Sequence, residues 1–367
     1  MKAEMISKLD CGVRDGLVSS LHPWLTVKAY SSGRRFFLSA LEKEVDVPRY
    51  EPAEDKSRVL WGINFRSSLM NAAGMFKNGE SYNIMEAQGA GAYLLGTTTC
   101  NAREGNRKKN ISKPFAPYPK SGAASNWLGL PNKGDEYVLQ RINEIKKAQD
   151  FPLGVSVMGS PDFGEKERLE KLIESLHLYD SCHNVDFIEI NESCPNTSEG
   201  RPQESNLYGR LVKIGSDFLK SKTKPVVVKF SNDTEFEQVP EIMDALASLG
   251  FDGVNFGNTS TSYSSILNYI KPNERKLFNY FSNNFGGGVS GRPLKIKSML
   301  LCQNAVDYLK ANPPSQEFHV IRTGGIETPE DLEDSERIGV SLNQWFTGYF
   351  NAFSENGHKV YQKMLEE

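Results

Sequence analysis

Apolar and polar positions follow one another along the chain in a pattern that changes character near residue 60. From there, short apolar or mixed runs bounded by Gly, Pro, Asn or Ser predict strands. These runs lie at 68–73, 91–97, 153–158, 185–190, 225–230, 252–256, 318–322 and 341–346. Several intervening segments have helical spacing, as in Leu169, Leu172, Ile173 and Leu176. Strand and helix units that alternate in this way predict an α/β fold, a closed (β/α)8 TIM barrel.

The first 57 residues are a separate compositional segment, in which apolar and basic residues are mixed with only partial helical spacing. Pro23 and Gly33 interrupt that spacing, so we predict one or two short helices rather than one long helix. We therefore divide the chain into a partly helical extension, 1–57, and a barrel, 58–367. The extension is either a cap on the bottom of the barrel or a platform whose apolar side faces a membrane or a lipophilic substrate.

Charge and cysteine usage narrow the class of protein. The 43 Lys and Arg nearly balance the 46 Asp and Glu, so no overall basic field attracts nucleic acid or lipid. The five cysteines are scattered and lack a C-x-x-C pair, which disfavours a disulfide framework or a structural zinc site. No apolar run approaches the roughly 18 residues of a membrane-spanning helix, and the N-terminus does not resemble a signal peptide. These features predict a cytoplasmic protein, with a peripheral membrane contact through residues 1–57 left open.

Two connections, 98–150 and 257–290, are longer than barrel loops usually are. The first contains a basic run at 103–120 that could be interpreted as a nucleic-acid surface. It offers few aromatic side chains on which bases could stack, so we interpret it as a solvated loop and expect no nucleic-acid partner.

Polar side chains gather where the predicted strands end, which is where the active site of a parallel barrel lies. They are Lys77, Asn126, Asn191, Asn196, Asn258 and Thr259. Amide side chains can pair with the N–H and C=O groups of a ring, and a lysine supplies a countercharge for an anion. The set predicts a small, planar, imide-like substrate that carries a carboxylate.

Three glycine-containing segments, 286–293, 321–325 and 346–348, fall in barrel order in the last third of the chain. Bare backbone N–H groups after strands seven and eight, together with a helix N-terminus, form the phosphate sites of many barrels. A phosphorylated cofactor is the natural occupant of such a site.

Cys194 follows the fourth predicted strand, within the run Asn191-Glu192-Ser193-Cys194-Pro195-Asn196-Thr197. A cysteine in such a loop is either a small packed side chain or a reactive group. A thiol with a reference pKa of about 8.5 needs only a modest shift to accept a proton near neutrality. Because the motif contains no His for a Cys–His nucleophile, we predict proton abstraction coupled to hydride transfer.

Together these motifs, over roughly residues 60–355, resemble the dihydroorotate dehydrogenase family, flavin-dependent barrels that oxidise dihydroorotate to orotate in pyrimidine biosynthesis. The resemblance implies FMN as cofactor, and Cys194 as the base that removes the C5 proton while the C6 hydride passes to flavin N5. It implies a substrate site made of Lys77, Asn126, Asn191, Asn196, Asn258 and Thr259. It implies flavin contacts from Ala73, Gly74, Thr97, Ser156, Lys229, Gly291, Gly324, Gly325, Thr347 and Gly348, with Lys229 near N1 and O2 of the reduced flavin.

The motifs do not agree on the electron acceptor. Segments 77–79, 96–99 and 288–293, and the presence of an extension, resemble the membrane-associated class that reduces quinones. Cys194 and segments 128–132 and 156–159 resemble the soluble class that reduces fumarate. The extension shows no obvious pair of amphipathic helices, which counts against a quinone tunnel. Quinone and fumarate both stay open, as does a homodimer.

Two alternatives to this function also stay open. One is a barrel flavoenzyme that acts on another pyrimidine or on an RNA uracil, and the other is a flavin-binding barrel without turnover.

Overall fold

A sheet of parallel strands lies at the centre of the protein, whose computed structural model describes residues 2–192 and 206–366. We number its strands along the chain. They are β1 Leu69–Asn71, β2 Tyr93–Thr98, β3 Leu153–Val157, β4 Phe187–Asn191, β5 Val226–Phe230, β6 Gly253–Phe256, β7 His319–Thr323 and β8 Leu342–Trp345. Each overlaps one strand predicted from the sequence, so the predicted α/β barrel is confirmed.

Consecutive strands are neighbours in the sheet, and β8 pairs in parallel with β1, with Trp345 opposite Asn71. The seam between β1 and β2 is bridged by a side chain. Asn71 Nδ2 donates to the carbonyl oxygen of Leu94 at 2.7 Å, and its Oδ1 accepts from the Leu94 N–H at 3.2 Å. Below this bridge, the Gly91 N–H donates to the carbonyl of Leu69 at 2.8 Å. One amide side chain thus takes the place of ladder hydrogen bonds where the sheet closes on itself.

Helices follow most strands and pack around the sheet. They are α1 Ala3–Ser20, α2 Pro23–Glu42, α3 Tyr82–Gln88, α4 Asp135–Glu144, α5 Glu165–Asp180, α6 Leu207–Ile214, α7 Val239–Leu249, α8 Tyr263–Ile266, α9 Arg275–Asn284, α10 Lys295–Ala311, α11 Pro329–Ile338, α12 Thr347–Asn356 and α13 Val360–Glu366. Local sequence sets their ends. Helix α11, for example, begins with a capping box between Thr328 and Asp331, has Pro329 in its first turn and ends at Gly339 in the left-handed conformation.

The two long connections meet in a small antiparallel sheet rather than running as loops. Its three strands are Phe115–Tyr118, Ala123–Asn126 and Gly288–Gly291. Asn126 lies opposite Gly288 in this sheet. Two further hairpins pair Arg58–Leu60 with Ile63–Phe65 and Arg107–Lys108 with Ile111–Ser112. The small sheet fixes Asn126 beside the ends of the barrel strands.

The extension contains two long helices, α1 and α2, so the prediction of short helices and no obvious helix pair is wrong. Pro23 occupies the first turn of α2, where its missing N–H costs no helical hydrogen bond, and Gly33 lies within the helix without breaking it. The helices pack on the barrel through Ala3, Phe37 and Leu41, which are buried in its main core. The domain boundary at residue 57 stays a prediction.

The helix pair lies at the rim where the strands end, not at the bottom of the barrel. Arg34 on α2 bonds to Gly74, just after β1, and Ser31 accepts a hydrogen bond from the N–H of Phe115. None of the helices within the described residues is long and apolar enough to cross a membrane.

Candidate functional site

A cavity, here called the first cavity, opens at the carboxyl ends of the barrel strands and encloses about 870 Å³ including its mouth. The predicted site residues in its wall are Ala73, Gly74, Lys77, Thr97, Asn126, Asn191, Lys229, Asn258, Thr259, Gly291, Gly324, Gly325, Thr347 and Gly348. Ser156 lies behind the wall. Cys194 and Asn196 lie outside the described residues. The structure therefore brings the predicted residues that it describes to one place, and their roles stay predictions.

One side of the first cavity is a glycine-rich cradle. Gly324 and Gly325 follow β7, and Thr347 and Gly348 begin α12 directly after β8. A Cβ on Gly348 would lie 2.0 Å from the carbonyl oxygen of Ile326, so a side chain there would clash with backbone. The cradle thus presents loop backbone and a helix N-terminus to the cavity, a combination that favours phosphate binding.

The floor of the first cavity is a polar layer inside the barrel, above an apolar one. Successive side chains of a strand point to opposite sides, so residues two positions apart share a side. Phe187, Val227, Ile321 and Leu342 form part of a buried interior cluster. The residues two positions after them are Glu189, Lys229, Thr323 and Gln344.

Glu189 is the centre of this polar layer and is completely buried. Its carboxylate accepts hydrogen bonds from Ser156 Oγ at 3.0 Å, Asn255 Nδ2 at 2.8 Å and Gln344 Nε2 at 2.7 Å. Lys229 Nζ lies 3.7 Å from Glu189 Oε1 and donates to Gln344 Oε1 at 2.8 Å. Burial lowers the pKa of Lys229, and the negative charge of Glu189 opposes that shift.

Our sequence reasoning missed Glu189, Asn255 and Gln344, because each lies within a strand rather than after it. The sequence does contain a feature that indicates the polar layer. Glu189 is an acidic residue inside an otherwise apolar run, and a buried carboxylate requires hydrogen-bond partners.

A chain of hydrogen bonds crosses the first cavity wall from strand to strand. The hydroxyls of Ser156 and Thr97 lie 3.1 Å apart, and Asn191 Nδ2 donates to Thr97 Oγ1 at 3.0 Å. Asn258 Nδ2 in turn donates to Asn191 Oδ1 at 3.1 Å. The buried hydroxyl of Thr259 lines the cavity and has no hydrogen-bond partner within residues 2–192 and 206–366. Because buried hydroxyls are rarely unpaired, Thr259 is positioned to bond a ligand.

Two ammonium groups give the first cavity its charge. Among the described residues, Lys77 and Lys229 are the charged side chains in its wall. Lys77 reaches towards the loop after β1, with its Nζ 4.0 Å from the position that a Cβ on Gly74 would take. Positive charge at both positions favours an anionic ligand.

A second cavity of about 1130 Å³, including its mouth, lies between α1, α2 and the barrel. Much of its wall is apolar, including Leu17, Phe37 and Phe350. The polar side chains that line it are Ser7, Asp10, Arg14, Tyr30, Arg34, Thr347 and Asn351. Tyr30 donates a hydrogen bond to Asp10 at 3.0 Å, and burial raises the pKa of Asp10.

The two cavities share part of their walls. Phe346 and Thr347 line both of them. At this boundary the guanidinium of Arg34 lies 5.8 Å from the ring centroid of Phe346 and donates to the carbonyl oxygen of Gly74 at 3.2 Å. Burial lowers the pKa of Arg34 to about 10, which leaves it charged at neutral pH. No motif or spacing distinguishes Arg34 from the other basic residues of the extension.

Comparison with known proteins identifies this architecture. Residues 57–367 match the family described as dihydroorotate dehydrogenase. Dihydroorotate dehydrogenase (quinone) of Trichodesmium erythraeum (strain IMS101) is 28% identical over 292 residues, which cover 79% of this chain and 73% of the relative. The protein of the same name from Wigglesworthia glossinidia brevipalpis is 29% identical over 321 residues, which cover 83% of this chain and 85% of the relative.

Solved structures share the fold. The crystal structure of DHODH from Eimeria tenella in complex with ferulenol superposes with a TM-score of 0.75 at 22% identity, covering 97% of this chain and 93% of that one. The ligand-free form from the same organism gives a TM-score of 0.74 at 21% identity.

Proposed function

The chain belongs to the dihydroorotate dehydrogenase family, whose members are flavin-dependent oxidoreductases, and we propose that it oxidises dihydroorotate to orotate with FMN as cofactor and a quinone as electron acceptor. The observation that carries this proposal is the wall of the first cavity. It combines a glycine cradle, a buried ammonium at Lys229 on β5, and the amides of Asn191 and Asn258 after barrel strands with that of Asn126 from the small sheet.

The cradle fits the phosphate of FMN. Gly324, Gly325, Thr347 and Gly348 would hold the phosphate through backbone N–H groups and the N-terminus of α12. Gly291, in the small sheet, would complete the cradle. Ala73, Gly74 and Thr97 would border the flavin ring. Lys229 would lie near N1 and O2 of that ring. Ser156 supports Thr97 from behind. When bound, FMN supplies the acceptor for the substrate's hydride.

The amides and Lys77 fit dihydroorotate. Lys77 would pair with the carboxylate, and Asn126, Asn191 and Asn258 would bond the ring's N–H and C=O groups. The buried hydroxyl of Thr259 would donate to the same ligand.

Cys194 is the proposed base, and Asn196 a further substrate contact. Cys194 follows Asn191 by three residues, a span of at most about 11 Å of chain, so it can reach the substrate that Asn191 holds. There its thiolate would take the C5 proton of dihydroorotate.

The second cavity favours a quinone over fumarate as the acceptor. Fumarate is a small dianion, whereas the wall of this cavity is largely apolar and has room for a ring and the start of a tail. Its boundary with the first cavity at Phe346 would bring a quinone ring next to the flavin. The quinone-named relatives support the same choice.

The extension also offers a surface for peripheral membrane contact. Met5, Leu9 and Val13 are each more than half exposed and repeat every four residues along one side of α1. Phe36 on α2 is 57% exposed. Exposed apolar residues beside the second cavity would let α1 and α2 rest on a bilayer from which a lipophilic quinone enters.

The test is a steady-state assay of the purified protein with dihydroorotate, offered a short-chain quinone, fumarate and NAD in turn. We expect the flavin released from the protein to be FMN. We also expect the protein to form orotate when the quinone is the acceptor. Orotate formation that requires fumarate would contradict the proposal that a quinone is the electron acceptor. A yellow protein that forms no orotate with any acceptor would overturn the reaction, and tight RNA binding that weakens with salt would then favour an RNA substrate.

A further inference from the structure

A negative charge lies at the centre of the barrel, directly behind the cation that lines the first cavity. Glu189 is completely buried, and its neighbours Ser156, Asn255 and Gln344 use three neutral donors to bond it. Its one charged neighbour among the described residues is Lys229, at 3.7 Å. Glu189 itself does not line the first cavity.

Stability alone is a poor explanation for this arrangement. Burying two charges costs several kcal/mol per ion, on the order of what the pair regains, and apolar replacements of similar volume are often neutral or stabilising. The layer below shows that this barrel can be filled with apolar side chains, such as Phe187 and Ile321. The polar layer is therefore better explained by what it does to the cavity above it.

The two carboxylate oxygens of Glu189 have different partners. Oε2 accepts from Asn255 and Gln344, which fixes the plane of the carboxylate. Oε1 faces Lys229. Gln344 also accepts from Lys229 Nζ at 2.8 Å, so one amide ties the carboxylate and the ammonium together.

We propose that Glu189 is a positioning residue that holds Lys229 as an ammonium beside the flavin and partly balances its charge, and that it thereby sets the reduction potential of the bound flavin. This inference rests on flavin binding in the first cavity. A hydride that reaches a flavin brings a negative charge with it, and a nearby cation favours that reduced state. A carboxylate behind the cation weakens this effect while keeping the cation in place.

Removing the carboxylate has two opposed consequences for Lys229. While Lys229 stays protonated, the cavity becomes more positive and the flavin easier to reduce. Burial already lowers the pKa of Lys229 and Glu189 opposes that, so without Glu189 the pKa falls further and the proton is lost as the pH rises. Asn255, Thr323 and Gln344 around Lys229 are neutral. Within residues 2–192 and 206–366, Lys77 is the other charged side chain in the wall of the first cavity.

The experiment measures the flavin reduction potential of the flavin-loaded full chain between pH 6 and 9, by reductive titration against indicator dyes. For Glu189→Gln we expect a more positive potential than wild type at pH 6 and a steeper fall towards pH 9. Glu189→Asp keeps the charge and should follow the wild-type profile. Glu86→Gln is the matched control, because Glu86 on α3 is a buried carboxylate paired with Arg66, and neither residue lines the first cavity.

Each outcome decides the proposal. A Glu189→Gln profile that superimposes on wild type overturns it, and so does a shift that Glu86→Gln reproduces. If Glu189→Gln does not fold, Glu189→Gln combined with Lys229→Met removes both charges. Recovery of a folded protein in the double variant supports the pairing, whereas a double variant that stays unfolded while Lys229→Met alone folds overturns it. A wild-type protein without flavin, or without orotate formation, would instead contradict the proposed function.

Discussion

The guanidinium of Arg34 donates a hydrogen bond to the backbone carbonyl of Gly74 at 3.2 Å, so the N-terminal helix pair touches the wall of the first cavity. Arg34 also lines the second cavity and lies over the ring of Phe346, which borders both. The extension is thus part of the site rather than an appendage. Two half-reactions, flavin reduction by substrate and flavin oxidation by acceptor, are expected to use different sides of this boundary.

Arg34→Met should therefore impair the acceptor half-reaction selectively. We propose that Arg34 donates a charge-assisted hydrogen bond to a carbonyl of the quinone. Loss of such a bond costs about 1.5–3 kcal/mol, which corresponds to a fall of about 10- to 150-fold in kcat/KM for the quinone. Anaerobic reduction of the flavin by dihydroorotate, followed by rapid mixing, should stay near wild type. Arg35→Met is the control, since Arg35 is exposed on the same helix. Equal losses in both half-reactions would contradict the assignment of Arg34 to the acceptor side.

Lys77→Ala should chiefly raise the KM for dihydroorotate. Lys77 is the proposed countercharge for the substrate's carboxylate, and uniform loss of that pairing weakens binding more than it slows the chemical step. We expect an increase of about tenfold or more, the range for a charge-assisted hydrogen bond. Lys133→Ala, at an exposed position in the same rim, should leave the KM unchanged. An unchanged KM in Lys77→Ala would indicate a substrate without an anionic group.

Cys194→Ala should lose most turnover while the protein stays yellow, because the proposed base is removed and the proposed flavin contacts are not. Cys194→Ser should retain partial activity that increases with pH, since a hydroxyl gives up its proton less readily than a thiol of reference pKa about 8.5. The measurement is kcat against pH for both variants. Full activity in Cys194→Ala would end the general-base hypothesis.

The parts of the fold that depend on local pattern were predictable. Alternating strands and helices predicted the barrel, and the residues after each strand predicted which side chains meet in the first cavity. Ser156 illustrates the limit of that rule: it lies on the correct strand but bonds Thr97 and Glu189 behind the wall. Position along a strand predicts proximity to a site, whereas the direction of the side chain decides contact with it.

The parts that depend on tertiary packing were not predictable in the same way. Gly33 is a helix breaker by propensity, yet it lies inside α2, because packing of Phe37 and Leu41 on the barrel stabilises the helix. Pro23 needs no such packing, since it occupies the first turn of α2. The polar layer around Glu189 could not be predicted from the sequence for a related reason. Its partners come from four other strands, so no local sequence window contains the network.

Leu9→Glu should weaken binding to lipid vesicles. Leu9 is 56% exposed in the middle of the apolar side of α1, and insertion of one such side chain contributes about 1.5–3 kcal/mol. A glutamate there should reduce the bound fraction by about tenfold or more in a co-sedimentation assay with vesicles of phosphatidylcholine and phosphatidylglycerol. Ile296→Glu is the control, since Ile296 is 61% exposed on α10, in the barrel. Equal binding by both variants would mean that α1 does not contact lipid.

Asn71→Leu should destabilise the barrel at its seam. Asn71 is completely buried, and its amide satisfies both the N–H and the carbonyl of Leu94, which is also completely buried. Leucine has the same branched side-chain shape but no polar group, so both backbone groups would lose their partner at about 1–3 kcal/mol each.

We therefore expect a loss of about 2–6 kcal/mol in the free energy of unfolding, measured by urea denaturation of the flavin-loaded protein. Asn312→Ala, which removes an exposed amide after α10, should change it by less than about 0.5 kcal/mol. If the two variants unfold at the same urea concentration, the closure of β1 on β2 does not depend on the Asn71 side chain. A specific loss in Asn71→Leu would instead show that a single amide completes the barrel where the backbone ladder does not.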